Sequence, residues 1–436
     1  MILDVSMIVL HLILYIVYLV LFLWIINRWK FFQAEGVSRI QLSGFFLLKV
    51  IAGIGLTLVY TYYYTDHSKA DIYRYFNDSK IISQVLFQDV RCWLKIMSGI
   101  GTYDPDAFSF LVHTQYFSHS SADAATDNTL IIRLNVLLNY LSFSNIYINT
   151  LFFNFLCFLG LTGLFKTLSL HFGANLLLLC FPIYLFPSVI FWSSGLLKES
   201  LLFFFIGLGV YLITNSTKIL PKIGAGVLFV LIIFVKPAVF FSLMTAMGVY
   251  LTIKLFVTHK EIVAKGRLKA FVFCVWFAIV CLLLSKSSIV CSQLIDKRNE
   301  FVQLAINENA GSLLDTQILS ADCNNVLALF PSALIKAILR PFPWESGGVF
   351  QRIFALENTA VFLLILYLLV RYFKTPERNQ LITAVSLLVF ALINYVIIGI
   401  TVPVLGAIVH YRVIATPFLI IALLSFVKLE KYISDK

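Results

Sequence analysis

Six consecutive residues, Arg340-Pro341-Phe342-Pro343-Trp344-Glu345, put a cation, an indole and a carboxylate on one stretch of stiffened backbone. Each proline fixes φ and removes an N–H, so the stretch is an extended, rigid corner. A guanidinium held this way suits an oxyanion such as phosphate, two of whose oxygens its planar fork can meet. A carboxylate beside it suits a sugar hydroxyl or a proton in transfer. The same residues also fit a plainer role, because Trp beside Arg commonly anchors a protein at a bilayer boundary. Just ahead, residues 331–339 (PSALIKAIL) read as a short apolar helix with Pro at its first position, where the missing N–H costs nothing. At about 1.5 Å per residue this helix covers only about half of a hydrocarbon core, so it does not span.

Other charged groups share that character. Asp66, Asp71, Arg74 and Asp78 lie in DHSKADIYRYFND, Lys198 and Glu199 end the turn SSGLLKE, Lys236-Pro237 forms another turn, and His410-Tyr411-Arg412 precedes a terminal apolar run. Cations gathered with one carboxylate suit a diphosphate, and the carboxylate could take the proton of an attacking hydroxyl. Asp71 and Glu345 are the candidate catalytic carboxylates, with Asp66 and Asp78 as rivals to Asp71. The candidate substrate-binding residues are Arg74, Lys198, Glu199 and Lys236 in the first half, with Arg340, Trp344, His410 and Arg412 in the second. Plainer readings stand beside these. Lys198 and Glu199 also fit a snorkelling cation and a carboxylate at a helix N-terminus. Asp71 and Arg74 fit an i,i+3 surface pair, and His410 with Arg412 an interfacial anchor. Lys49 reads as snorkelling or bundle-facing, and Glu357 as paired inside a bundle. Ring faces for sugars are plentiful among twenty tyrosines and six tryptophans, although interfacial belts account for most of them.

The elements that must position these groups are membrane helices. The 436-residue chain is 60% hydrophobic and 13% charged, with mean hydropathy +0.92, a balance outside the range of soluble domains. Its net charge of +11 needs no nucleic acid to explain it. Seven cysteines show no CxxC or metal-ligand spacing; Cys291 and Cys323 share one long loop and could pair in an oxidising compartment. The only DxD is Asp104-Pro105-Asp106. No metal or other cofactor is expected. The first apolar run, 5–26, is too long for a signal-peptide core and lacks a basic flank, so it reads as a retained helix.

The hydropathy pattern predicts an all-α polytopic membrane protein of eleven spans, near 5–26, 42–64, 146–166, 174–192, 197–214, 222–235, 238–257, 269–288, 353–371, 380–400 and 413–428. Pro187 and Pro237 suggest broken helices near them. Short connections of one parity hold seventeen cations, from Arg28, Lys30 and Arg39 through Lys265 to Lys428, Lys431 and Lys436. Those of the other parity hold three: Lys198, Lys236 and Arg412. By the positive-inside rule the amino terminus is outside and the carboxyl terminus cytoplasmic. Two long loops, 65–145 and 289–352, then face out. Each contains an interfacial helix pattern: Leu130, Leu134, Leu137, Leu138 and Leu141 against Asn135, Asn139 and Ser142, and then Leu294, Ile295, Phe301, Val302 and Ala305. With no internal repeat or soluble module, a single membrane domain over 1–436 is expected.

Four stretches carry a resemblance: FWSSGLLKES before an apolar span, KP at an outer turn, RPFPWE followed by ALEN at the next helix, and HYR before a terminal helix. In these and in overall layout the chain resembles bacterial surface-polysaccharide repeat-unit polymerases (Wzy-like, EpsG-like) and, more distantly, GT-C membrane glycosyltransferases. The resemblance implies an inner-membrane enzyme acting at the outer face on a polyprenyl-diphosphate-linked glycan, with the bilayer and other polysaccharide-assembly proteins as partners. It implies that Arg340 and Arg412 hold phosphate and that Asp71 is the base. GT-C enzymes usually carry their acidic residue after the first span, whereas Asp66 and Asp71 follow the second, so the polymerase reading is favoured. The alternative is a transporter or flippase of lipid-linked glycan. That class would show mid-bilayer polar residues and repeated halves, of which the chain has few.

Overall fold

The structure, a computed structural model, describes residues 2–63, 67, 70–117, 127–173, 176–258, 287–307, 310–314, 316–320, 322–345 and 348–428. Every regular element among them is helical. In order they are α1 (Ile2–Arg28), α2 (Arg39–Tyr62), α3 (Asp71–Gln88), α4 (Val90–Ser98), α5 (Pro105–Phe108), α6 (Thr129–Ser142) and α7 (Ile146–Phe172). A π-helical segment, Leu176–Leu185, leads to α8 (Pro187–Trp192), α9 (Lys198–Asn215), α10 (Ile219–Val235) and α11 (Pro237–Thr258). The remainder are α12 (Ser287–Asn307), α13 (Cys323–Leu339), α14 (Val349–Tyr372), α15 (Arg378–Thr401), α16 (Leu405–Arg412) and α17 (Thr416–Leu424).

The chain is an all-α, multi-pass membrane protein. Seven of the described helices are long and apolar enough to cross a bilayer, and the bent pair α16–α17 brings the number to eight. α1 and α14 expose most of their apolar side chains, among them Ile8, Leu12, Ile16, Leu356, Leu363 and Val370. Surface of that kind is stable against lipid and unfavourable against water.

The expected eleven spans are not found, for local reasons. The run at 174–192 does not form one helix: Pro182 sits inside the π-helical segment, and Pro187 starts a separate six-residue helix. Each proline removes a main-chain donor. α10 has 17 residues, about 25 Å by helical rise. The expected terminal span at 413–428 is instead α16 and α17, bent by 64°. The expected span at 269–288 falls almost wholly outside the described residues. A further correction concerns Pro331. It lies inside α13 instead of starting it, because the Asp322 side chain accepts from Asn324 N and nucleates the helix nine residues earlier.

The chain divides into two compact units. The first comprises Met1–Leu176, Ile183–Leu185 and Val189–Pro237. Its axis is α7, hydrophobic on all sides and buried nearly throughout. Phe22, Phe46 and Phe155 interlock against it, Phe22 stacking on Phe155 at 4.2 Å between ring centroids. α9 approaches α7 backbone to backbone, since a Cβ on Gly160 would strike the Phe203 carbonyl and one on Gly207 would strike Gly160. Where lipid tails are as apolar as leucine, such close approach is what favours association.

α6 is helical as its periodicity predicts, and its polar stripe is packed inward together with Leu138. Asn135, Asn139 and Ser142 are buried, while Leu137 and Leu141 are each 48% exposed. The asparagines face inward because they have partners there. Asn149 Nδ2 donates to Asn135 Oδ1 (3.2 Å) and Asn139 Oδ1 (2.8 Å), and Asn139 Nδ2 donates to Ser79 Oγ (3.0 Å). These hydrogen bonds are strengthened by the low-dielectric interior, although the Asn149 Oδ1 is buried without a partner.

The second unit comprises Leu177–Pro182, Phe186–Ser188 and Ala238–Lys436. Its centre is the packing of α13 on α15, where Ala333, Val396 and Ile400 form a core and Gly399 leaves no room for a side chain against the Ala333 backbone. α12 buries Ile295, Arg298, Val302 and Ala305 along one face. A disulfide joins Cys291 of α12 to Cys323 of α13.

Candidate functional site

In the first unit the charged residues gather around α3 and the start of α9. Asp71 is the first residue of α3, where the helix dipole favours a carboxylate. Two turns on, Asp78 lies on the same face and is buried. Its carboxylate accepts from Gln115 N (2.8 Å) and Tyr116 N (2.9 Å). Burial pushes the Asp78 carboxyl above its ordinary range, against the opposing pull of those two amides and Arg74. Asp78 therefore shapes the loop, and what it positions is Tyr116, whose hydroxyl donates to Asp71 Oδ1 at 3.3 Å. Tyr75 stacks on Tyr116 at 5.3 Å. Burial and the Asp71 charge raise the phenol of Tyr116 far above its usual value, so it stays a donor. Of the three rival aspartates, Asp71 is thus left with a phenol as partner, Asp78 is engaged by backbone, and Asp66 lies outside the described residues.

Replacing Asp78 by asparagine leaves one acceptor oxygen for two amides. An orphaned buried amide costs about 1–3 kcal/mol, so the Asp78→Asn protein should unfold at a lower temperature in detergent. An unchanged midpoint would remove Asp78 from this role.

The turn before α9 is built to hold Lys198. Lys49, buried in α2, donates to Ser193 O (2.5 Å), Ser193 Oγ (2.7 Å) and Ser194 Oγ (3.1 Å). Its three protons have three acceptors, which offsets part of the cost of a charge buried without a carboxylate. Ser200 Oγ closes the turn on Ser193 O and Gly195 O, both at 2.8 Å. Lys198 then pairs with Asp127 at 2.8 Å, and the charges of Lys236 and Asp71 act on the same ammonium. Lys236 pairs with Glu199 at 3.2 Å, the carboxylate almost fully buried. Arg74 acts on the Tyr116 hydroxyl. Five expected residues, Asp71, Arg74, Lys198, Glu199 and Lys236, thus fall in one cluster of this unit, joined by Asp127 and Tyr116.

Asp104 and Asp106 do not join it. Both pair with Lys95, at 2.9 and 2.8 Å, on an exposed surface where such pairs stabilise little.

In the second unit the Arg340 corner is assembled from three of the stretches singled out in the sequence. A helix ends with four carbonyls lacking partners. At the end of α13, Arg412 Nη1 donates to Ala337 O (3.3 Å) and Arg340 O (2.6 Å). Asn358 Nδ2 donates to Ile338 O (3.1 Å) and Leu339 O (2.9 Å). The neighbouring Glu357 accepts from Ser188 N at 3.0 Å. Arg340 Nε pairs with Glu345 Oε1 at 2.8 Å, and Glu345 Oε2 accepts from Phe342 N at 2.7 Å. Trp344, 76% exposed, stacks on Phe342 at 4.8 Å. Arg412 is buried and fixes the backbone of Arg340, and both Glu345 oxygens hold the corner together. His410 is buried with its ring stacked on Tyr411.

Beside this corner is a cavity of about 390 Å³. Arg298, Lys336 and Arg340 line it, along with Leu314, Leu329, Phe342 and Ile400, and among the described residues no lining residue is acidic. Sequence reasoning missed Arg298 and Lys336. The signals were present: Lys336 stands four residues before Arg340, on the same helix face, and Arg298 interrupts the apolar stripe of α12. Three cations against apolar walls can hold a multiply charged anion that carries an apolar chain.

The expected residues therefore separate into one group per unit. Comparison of the chain with protein-family models, curated proteins and solved structures finds no match.

Proposed function

We propose that the protein is a membrane glycosyltransferase or polysaccharide repeat-unit polymerase of the bacterial inner membrane, acting at the outer face on polyprenyl-diphosphate-linked sugars. The observation that carries this reading is the cavity lined by Arg298, Lys336 and Arg340 with no acidic residue among the described ones. Guanidinium and ammonium donors suit diphosphate oxygens, and the apolar walls suit the first isoprene units. The resemblance of the RPFPWE, ALEN and HYR stretches to repeat-unit polymerases supports it.

In this reading an acceptor hydroxyl attacks the anomeric carbon of the lipid-linked sugar. The new C–O bond forms as the bond to the diphosphate breaks, and polyprenyl diphosphate leaves with both electrons of that bond. A carboxylate takes the hydroxyl proton, the role that the resemblance implies for Asp71, and the pocket cations stabilise the charge developing on the leaving group. Glu345 acts by holding Arg340, Arg412 by holding the Arg340 backbone, and Lys198 with Lys236 by fixing the charge around Asp71.

Counted over the eleven spans expected from hydropathy, the cation asymmetry supports an outer amino terminus and a cytoplasmic carboxyl terminus. The Cys291–Cys323 disulfide supports an oxidising, outer location for 289–352. A cysteine at Asn128 should therefore react with an impermeant maleimide from outside, and one at Lys374 should not; the reverse pattern would overturn this topology. The activity is tested by giving purified protein in vesicles a lipid-linked repeat unit. Longer glycans and free polyprenyl diphosphate are expected. Movement of the lipid between leaflets with no new glycosidic bond would make the protein a transporter.

A further inference from the structure

We infer that Trp344 is a sugar platform, its open indole face taking the pyranose ring attached to the diphosphate in the neighbouring cavity. The inference rests on the diphosphate reading of that cavity and adds a second subsite to it.

The indole is displayed by a clamped turn. Glu345 N donates to Phe342 O at 3.0 Å, which closes a four-residue turn from Phe342 to Glu345. Pro343 fills its first central position, for which the fixed φ is suited, and Trp344 fills the second. The Glu345 carboxylate closes the same corner again: Oε2 accepts from Phe342 N (2.7 Å) and Oε1 from Arg340 Nε (2.8 Å). Arg340 is in turn held through its carbonyl by Arg412 Nη1 (2.6 Å). Trp344 therefore stands at the tip of a fixed turn, and yet it is 76% exposed. Burial of the ring does not account for so firm a hold.

One face of the indole is taken. Phe342 lies parallel to it, with 4.8 Å between ring centroids and 5° between planes. Phe342 is also part of the cavity wall, beside Arg340. Cavity, phenyl ring and indole adjoin in that order, and the far face of the indole is open. A group bonded to a phosphate held by Arg340 has this stack as its neighbour. A pyranose presents a face of C–H bonds, whose slightly positive hydrogens suit the negative face of an indole. Tryptophan loses little conformational freedom in such a contact, and the turn has removed most of it beforehand. A membrane anchor is the other common use of an exposed tryptophan. An anchor needs depth but no fixed plane, and sinking this ring into lipid would draw in the adjoining Arg340–Glu345 pair at the cost of burying charge.

The test uses the full chain in lipid nanodiscs, labelled with 5-fluorotryptophan; the Trp344 signal is the one that Trp344→Phe removes. The probes are polyprenyl diphosphate and polyprenyl-diphosphate-linked glucose. Glucose should tighten binding about fivefold in the wild type, the size of one aromatic contact, and not at all in Trp344→Ala. Trp344→Phe, which keeps a ring, should keep part of the gain. All three proteins should bind the sugar-free diphosphate equally, because the ties of the turn come from Glu345. A gain from glucose that is absent from the wild type, or equal in Trp344→Ala, would overturn the platform. So would a Trp344 signal broadened by spin-labelled lipid and unmoved by glucose, the mark of an anchor. If neither diphosphate binds while maltotriose still moves the Trp344 signal, the platform stands and the diphosphate reading falls.

Discussion

Arg340→Lys should lower glycan polymerisation about a hundredfold while leaving the amount of protein in the membrane unchanged, the loss typical of a misplacement near 1 Å at a reacting centre. The guanidinium has two tasks in this structure. Its Nε is fixed by Glu345 Oε1, and the group also lines the cavity with Lys336 and Arg298. Lysine keeps the charge but has one nitrogen, so it can serve Glu345 or the ligand and not both in the same geometry. Chain length in the vesicle assay measures the effect, with immunoblotting of membranes as the control for folding. Near-normal glycan in that variant would reduce Arg340 to an interfacial anchor beside the exposed Trp344.

The second large effect belongs to Asp71. Removing a general base costs on the order of 10²–10⁴ in rate. Asp71→Asn keeps the size of the side chain and its ability to accept from Tyr116 at the start of α3. Turnover should fall within that range while the lipid-linked substrate still binds, so rate constants fall and apparent affinity does not. The Asp78→Asn protein separates the two roles: it should lose stability, because its carboxylate holds backbone amides and not a phenol. Full turnover by the Asp71→Asn protein would eliminate Asp71 as the base.

The sequence marked these stretches without revealing how they are joined. RPFPWE, ALEN and HYR were each visible as charge and proline against apolar surroundings. What unites them is the C-terminus of α13, whose carbonyls are taken by Asn358 and Arg412. Those partners are some 19 and 72 residues away along the chain, and no local periodicity encodes such a pairing. α6 shows the same limit from the other side. Its 3.6-residue pattern is plain, yet the sign of its faces depends on Asn149 and Ser79, which lie on other helices. In water, leucines in and asparagines out would be the sound choice. In a membrane protein the asparagines go in, since they find partners there and lipid welcomes the leucines.

The overcounted spans have a related cause. Hydropathy registers the run 174–192 as apolar, but Pro182 and Pro187 decide its shape. Arg298 and Lys336 escaped notice because a cation near an apolar stripe is usually read as snorkelling. The packing of α13 on α15, with Gly399 against Ala333, forms one wall of the cavity that they line. The pairing of Cys291 with Cys323 was one of the few long-range contacts the sequence could suggest, from their sharing one loop.

The most direct measurement of the central claim, that Arg298, Lys336 and Arg340 form a diphosphate pocket, is the affinity of the purified protein for polyprenyl diphosphate against the corresponding polyprenyl alcohol, in nanodiscs. Two charge-assisted hydrogen bonds at about 1.5 kcal/mol each make the diphosphate about a hundredfold tighter, and Arg298→Ala together with Lys336→Ala should erase most of that difference. Equal affinity for the diphosphate and the alcohol would contradict the account.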